Sequence, residues 1–127
     1  MNVVRKINQE LAISGQITPD QLKKLADDGY KSILNLCCAD EQGFWINEQE
    51  KTQFLGLRYV NLPTKTKKLT HQNVNYIFQI IGDLPKPLLI HCENSKLSAA
   101  IVLLYISTQQ GIDFDLVWQQ VLNLDLL

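Results

Sequence analysis

Apolar residues recur along the chain with two different spacings, and these spacings predict strands that alternate with helices. Short β-favouring runs bounded by polar or turn-forming residues indicate five strands. They are predicted over residues 3–7, 11–14, 32–36, 57–62 and 87–91. Asn8 and Gln9 separate the first two runs, which together predict a small hairpin that ends at Gly15.

Apolar residues spaced three or four apart predict five helices. Thr18 is suited to cap the first helix, with Pro19 at its first position and Gln21 completing a capping box, and Gly29 is expected to end it. The other four helices are predicted over residues 47–55, from the cap Thr70 to Gly82, over 97–110 and over 113–124.

The alternation of strands and helices predicts an α/β fold with a mostly parallel central sheet of about five strands and helices on both faces. Strand 87–91 has almost no polar interruption, which is typical of a central strand buried on both sides. Helix 97–110 is mostly apolar and is therefore expected to be deeply buried.

Length and composition narrow the possible functions. The chain has 127 residues, so we expect a single domain over residues 1–127. It has 12 Lys and Arg against 13 Asp and Glu, which excludes a polybasic nucleic-acid binder and an acidic disordered tail. The apolar runs are shorter than the ~20 residues of a membrane span, and the first residues lack an export signal. We therefore expect no membrane partner and a cytoplasmic location.

The number of cysteines also favours a cytoplasmic location. Three cysteines cannot form a complete disulfide framework, and they favour a reducing compartment. No metal-ligand pattern is visible, and we expect no metal or cofactor. Parallel sheets bind ligands beyond the carboxyl ends of their strands. Here those ends carry Cys37 and Cys38, the loop after Leu62, and His91 followed by Cys92.

Cys92 is the residue on which the functional prediction depends. A buried strand delivers it into a short loop, and a buried helix follows at once. The loop amides and the helix N-terminus would then form an anion cradle that favours the thiolate. A thiolate beneath a bound phosphate is arranged for attack on phosphorus. The residues predicted to bind phosphate through backbone amides are Glu93, Asn94, Ser95, Lys96 and Leu97, with the Lys96 side chain as an additional ligand.

His91 and Cys92, the polar loop and the apolar helix resemble the cysteine-dependent tyrosine and dual-specificity phosphatases. The opening INQELAISGQITPDQLKKLADDGYKSILNL is similar to the start of a small bacterial branch of phosphatase-like domains of unknown function, also found fused to β-lactamase-like hydrolases. The resemblance covers nearly the whole chain. It implies a dual-specificity-phosphatase-like fold, Cys92 as the nucleophile of a phosphoester hydrolase, and phosphate or a phosphorylated small molecule or protein as ligand.

The loop lacks the arginine by which these phosphatases clamp phosphate. The common spacing would place it at Ser98, and the bacterial branch often places it at Leu97. Lys96 is the nearest cation, and a lysine lacks the planar fork of arginine. Glu93 adds a negative charge that opposes anion binding. Loss of such a clamp typically lowers the rate by ~10²–10³ and in some enzymes by ~10³–10⁵.

The general acid of the family is missing as well. The family usually supplies an Asp from the loop that corresponds to residues 63–69, which here read PTKTKKL. Its cations, Lys65, Lys67 and Lys68, could instead add positive potential over the pocket. A hydroxyl on Ser95 or Ser98 could still assist the thiolate, as a hydroxyl near the end of the loop does in family members.

Neighbouring residues have less specific predicted roles. We expect His91 to be structural and to hydrogen-bond the loop backbone from the end of its strand. Asp40 and Glu41 are the nearest carboxylates that could replace the acid. Cys37 or Cys38 could approach Cys92, since all three follow predicted strands.

The favoured interpretation is a phosphatase-like domain that keeps the Cys92 loop but has weak or lost activity. Three alternatives remain open from the sequence. The first is an active cysteine phosphatase in which Lys96 replaces the arginine. The second is a non-catalytic regulatory module that binds a phosphorylated ligand. The third is a rhodanese-like sulfurtransferase, which also places a loop cysteine before a helix.

Overall fold

The computed structural model describes residues 3–40 and 44–124, except for the side chain of Lys68. This part of the chain contains five strands, namely β1 (Arg5–Lys6), β2 (Leu11–Ser14), β3 (Ser32–Asn35), β4 (Arg58–Asn61) and β5 (Leu88–His91). Its α-helices are α1 (Pro19–Asp27), α2 (Glu48–Phe54), α3 (His71–Asp83), α4 (Lys96–Gln109) and α5 (Phe114–Asn123). The predicted order of strands and helices is confirmed.

The strands form one sheet in the order β1-β2-β5-β3-β4. β1 pairs with β2 in the antiparallel sense, and the pairs β2–β5, β5–β3 and β3–β4 are parallel. The predicted α/β fold with a mostly parallel sheet is therefore confirmed. β5 lies at the centre and all its residues are buried, as its unbroken apolar sequence predicts.

Successive residues of β5 point to opposite faces of the sheet, as strand geometry requires. Ile90 packs in a core cluster with residues of α3, α4 and α5, and Cys92 belongs to the same cluster. Leu89 packs in a second cluster with residues of α1. His91 is two residues after Leu89 and therefore points to the same face as Leu89. His91 and Cys92 thus face different sides of the sheet.

The helices lie where they were predicted, and both ends of α2, α4 and α5 fall within one residue of the predicted bounds. The Thr18–Gln21 capping box forms at the start of α1 as predicted. Gly82 was expected to end α3, but the helix continues to Asp83. Leu84 then turns extended, at φ −77° and ψ 140°, because the ring of Pro85 disfavours a helical conformation in the preceding residue. A second difference concerns the segment predicted as a plain loop, where Thr66–Lys68 form a 3₁₀ turn.

Within the described ranges, no helix is both long enough and apolar enough to span a membrane.

Candidate functional site

Cys92 lies at the carboxyl end of β5, beneath the first turn of α4. Its side chain is buried, and its Sγ accepts a hydrogen bond from the backbone N of Ser98 at 3.4 Å. The backbone N of Cys92 donates to the carbonyl O of Ser14 at 3.2 Å, which ties the loop to β2. The sulfur therefore faces backbone N–H donors of a helix N-terminus, where positive potential is concentrated.

The loop between Cys92 and α4 turns through a left-handed residue. Ser95 has φ 70° and ψ −8°, a conformation that costs a residue other than glycine ~1–2 kcal/mol. The Oδ1 of Asn94 accepts from the backbone N of Lys96 at 3.1 Å, and the carbonyl O of Ser95 accepts from the N of Ala99 at 2.9 Å. This turn directs the start of α4 back over Cys92. Backbone strain of this kind is found most often at functional sites.

An open cavity of about 330 Å³ lies over Cys92. One wall comes from the Cys92 loop through Glu93, Asn94 and Leu97, and the other comes from residues 64–67. Thr64 fixes the second wall, because its backbone N donates to the carbonyl O of Leu36 at 3.1 Å. The ends of β3, β4 and β5 thus meet around one cavity, as the parallel topology predicts.

The cations of the cavity come from the wall opposite the cysteine loop. Lys65 and Lys67 line it, whereas Lys96 is exposed and is not among the lining residues. The prediction that the Lys96 side chain reaches a bound phosphate is not supported by this geometry. Lys65 Nζ lies 3.1 Å from Asp40 Oδ2. The hydrogen bond and charge of Lys65 lower the pKa of Asp40, so this carboxyl is held ionised and is poorly suited to be a general acid.

Leu97 occupies the position at which the bacterial branch often carries arginine. Its side chain is 6% exposed, packs in the core cluster and also lines the cavity. Ser98, at the other candidate position, is fully buried, and its Oγ has no hydrogen-bond partner among the described residues. Leu97 therefore borders the cavity without a cation, and Ser98 is not among the residues that line it.

His91 contacts side chains on the other face of the sheet. Its Nε2 lies 2.5 Å from Glu48 Oε2, and its Nδ1 lies 3.9 Å from Cys37 Sγ. The other carboxylate oxygen of Glu48 accepts from Gln16 Nε2 at 2.8 Å. Both His91 and Glu48 are completely buried. The expectation that His91 hydrogen-bonds the loop backbone is wrong, because its ring nitrogens contact these side chains.

Glu48, the buried partner of His91, is the residue near the site that sequence reasoning missed. The sequence predicts it only as a member of a short helix, and α2 indeed begins there. Its partner His91 is 43 residues away, so no local spacing signals the contact.

Cys37 does not approach Cys92 from the same side. Its Sγ contacts His91 and also lies 3.5 Å from Gln16 Oε1, on the face of the sheet opposite to Cys92. None of the three cysteines, all of which are described, forms a disulfide. Cys38 is buried as well, and Glu41 lies outside the described residues.

Residues 3–40 and 44–124 contain no group of three or more His, Cys, Asp or Glu side chains that could hold a metal ion.

No protein-family model matches the chain. The chain is 31% identical over 91 residues to the "Beta-lactamase hydrolase-like protein" of Xylella fastidiosa, an alignment that includes 69% of this chain and 21% of the relative. The chain therefore spans about a fifth of the length of the curated relatives it matches.

Solved structures show the same fold over most of the chain. One is a "Putative phosphatase (DUF442)" from Shewanella putrefaciens CN-32, with a TM-score of 0.79, 21% identity, and coverage of 90% of this chain and 74% of that chain. Another is a cysteine-to-serine variant of P. aeruginosa TpbA in complex with pTyr, with a TM-score of 0.73, 14% identity, and coverage of 93% and 70%. The chain thus has the fold of the DUF442 and tyrosine phosphatase-like proteins.

Proposed function

We propose that this domain binds a phosphate monoester or a related oxyanion in the cavity over Cys92, and that it hydrolyses the ester slowly or not at all. One observation carries the proposal: Cys92, the loop and helix residues Glu93, Asn94 and Leu97, and the lysine-bearing segment 64–67 all line the same cavity. An anion in this cavity would meet backbone N–H donors on one side and the lysines on the other.

The helix terminus supports anion binding on physical grounds. α4 spans 14 residues, and its first backbone N–H groups have no partners within the helix itself. Two of them already donate, Lys96 N to Asn94 Oδ1 and Ser98 N to Cys92 Sγ. The macrodipole places roughly half a positive elementary charge at this end. Phosphate binding at such a terminus is a common use of these groups.

Two features argue that hydrolysis is slow. Leu97 offers no charge to the equatorial oxygens of the transferring phosphoryl group, and an arginine in that role is worth ~10³–10⁵ in rate. The carboxylate nearest the lysine wall, Asp40, is paired with Lys65 and lacks a proton to give to a leaving group. Glu93 lines the cavity but opposes an approaching anion.

The ligand class follows from the cavity and from the relatives. A volume of about 330 Å³, open to solvent, accommodates a phosphorylated small molecule or the phosphorylated side chain of a protein. TpbA, which shares the fold, was solved with pTyr. We therefore choose inorganic phosphate and phosphotyrosine as the probes.

The test is a titration of ¹⁵N-labelled protein with each probe, followed by amide NMR. We expect saturable shifts at residues 64–67, 92–94 and 97, which line the cavity. The Cys92→Ser variant should keep these shifts, because the amides and lysines are unchanged. Saturating probe with no shift in either segment would contradict the proposal.

A second candidate, an active cysteine phosphatase, is favoured by the hydrogen bond from Ser98 N to Cys92 Sγ, which stabilises a thiolate. It predicts hydrolysis of p-nitrophenyl phosphate that is abolished by Cys92→Ser. Turnover that survives this substitution would exclude Cys92 as the nucleophile.

A further inference from the structure

A chain of four polar side chains lies behind the Cys92 loop, on the other face of the sheet. It links Gln16 to Glu48, Glu48 to His91, and His91 to Cys37, with separations of 2.8, 2.5 and 3.9 Å. Glu48 and His91 are each completely buried. The proposed function uses none of these four side chains.

The buried carboxylate requires a counter-charge. An ionised carboxylate without a partner in a protein interior costs several kcal/mol. Among the described residues, His91 is the sole salt-bridge partner of Glu48. Gln16 donates one hydrogen bond but carries no charge.

The other titratable groups around this pair supply no positive charge. Cys37 faces His91 from the end of β3, and Tyr59 faces the pair from β4. Burial, and to a lesser degree the charges of Glu48 and Cys37, raise the pKa of Tyr59 to about 12, so the phenol is neutral at physiological pH. The phenol oxygen accepts a hydrogen bond from Asn35 Nδ2 at 2.9 Å.

The His91 end of the pair lies next to the cysteine. Cys92 follows His91 directly, so their Cα atoms are roughly 3.8 Å apart across the peptide bond. Glu48 reaches His91 from α2 and lies beyond the ring. An ion pair in this arrangement has its positive end towards Cys92 and its negative end away from it.

We propose that Glu48 is a positioning residue for Cys92: it keeps His91 as a buried imidazolium, whose charge supports the thiolate on the opposite face of β5. The inference rests on the proposed function, because only residual turnover at the cavity requires that thiolate. Glu48 itself contacts neither Cys92 nor the cavity.

The first test is ¹⁵N NMR of the histidine rings in the intact chain. The chain has two histidines, His71 and His91, so a His71→Gln variant assigns both. We expect both ring nitrogens of His91 to carry protons at pH 7.5 in the wild type and one of them to be bare in Glu48→Gln. A neutral His91 ring in the wild type would overturn the inference. This outcome does not depend on whether any variant folds.

The second test measures the pH dependence of Cys92 alkylation by iodoacetamide, with peptide mass spectrometry to separate the three cysteines. Glu48→Gln should move the pH of half-maximal rate upward by about half a unit or more, since an opposite charge is lost from the neighbourhood of the thiolate. The exposed Glu50→Gln on the same helix is the matched control and should leave the profile unchanged.

The direction of the shift decides between two roles for Glu48. If it acts only as a nearby negative charge, its removal eases ionisation of Cys92 and the profile moves downward, which overturns the inference. An unchanged profile overturns it as well. Phosphate binding by the wild type is measured separately, so a failure of the proposed function is distinguishable from a failure of this role.

Discussion

The two sides of the carboxyl end of β5 differ in how well their polar groups are satisfied. On the His91 side, the ring, the Glu48 carboxylate and the Gln16 amide contact one another in the interior. On the Cys92 side, the sulfur has one backbone donor, the Ser98 hydroxyl has no partner among the described residues, and an open cavity lies above.

This difference separates a structural role from a binding role. Buried polar groups in proteins are nearly always hydrogen-bonded, so the saturated side contributes to stability and to the position of the loop. The unsaturated side keeps donors available for a ligand. The same strand end thus has hydrogen-bonded side chains on one face and, on the other, the open cavity that we propose as an anion site.

The largest expected effect is on stability, and it falls on the His91 side. Glu48→Ala leaves His91 without its partner in the interior, and breaking a buried pair in this way costs about 3–5 kcal/mol. Cys92→Ser, on the other side, should cost about 1–3 kcal/mol, because it buries a more polar group at the edge of a cavity. Urea unfolding of both variants measures the difference, and a larger loss in Cys92→Ser would contradict the comparison.

Introduction of an arginine beside Cys92 should have the next largest effect. Leu97 lines the cavity, so the guanidinium of Leu97→Arg can reach a bound phosphate. We expect hydrolysis of p-nitrophenyl phosphate to rise by ~10²-fold or more. Leu97→Met is the matched control for altered packing and should give no gain. If a folded Leu97→Arg protein, and likewise Ser98→Arg, remains inactive, the absence of an arginine does not explain the weak turnover that we propose.

The fold and the location of the site could be predicted from the sequence because their signals are local. The capping box at Thr18, the apolar strand before His91 and the apolar helix after Cys92 each occupy one short segment. Parallel topology then places the strand ends together without knowledge of any distance.

Side-chain partners could not be predicted in the same way. The Glu48–His91 contact joins residues 43 positions apart, and the local sequence around either residue does not identify its partner. Lys96 is next to the loop in sequence, yet the first turn of α4 directs it to solvent, whereas Lys67 reaches the cavity from another strand end. Which side chains reach the cavity depends on how the helices and strands pack against one another.

The lysine wall should contribute a moderate part of anion affinity. Lys67→Ala is expected to weaken phosphate binding by about 3- to 10-fold, with the loss diminishing at high salt because the contact is exposed to solvent. Lys96→Ala removes an equal charge outside the cavity and should change affinity less than twofold. Calorimetric titrations at two salt concentrations compare them, and equal losses would contradict the assignment of the cavity walls.

The last expected effect is on stability at alkaline pH, and it arises only at about pH 10 and above. Burial raises the pKa of Tyr59 to about 12 from 10.0 in the unfolded chain, so the folded state resists its ionisation. The contribution is complete below pH 10 and is lost as the pH rises from 10 towards 12. In Tyr59→Phe the unfolding free energy should fall less steeply over this range. The unfolding free energy of the wild type and of Tyr59→Phe is measured with urea at pH 9.5 and 11.5. An equal decrease between these two pH values in both proteins would contradict this account.

The most direct test of the central claim is a crystal structure of the wild-type protein soaked with tungstate, a heavy analogue of phosphate. We predict one tungstate above Cys92 Sγ, bound by backbone amides at the start of α4 and approached by Lys67. An empty cavity over Cys92 at a tungstate concentration that fills other sites in the same crystal would contradict the account.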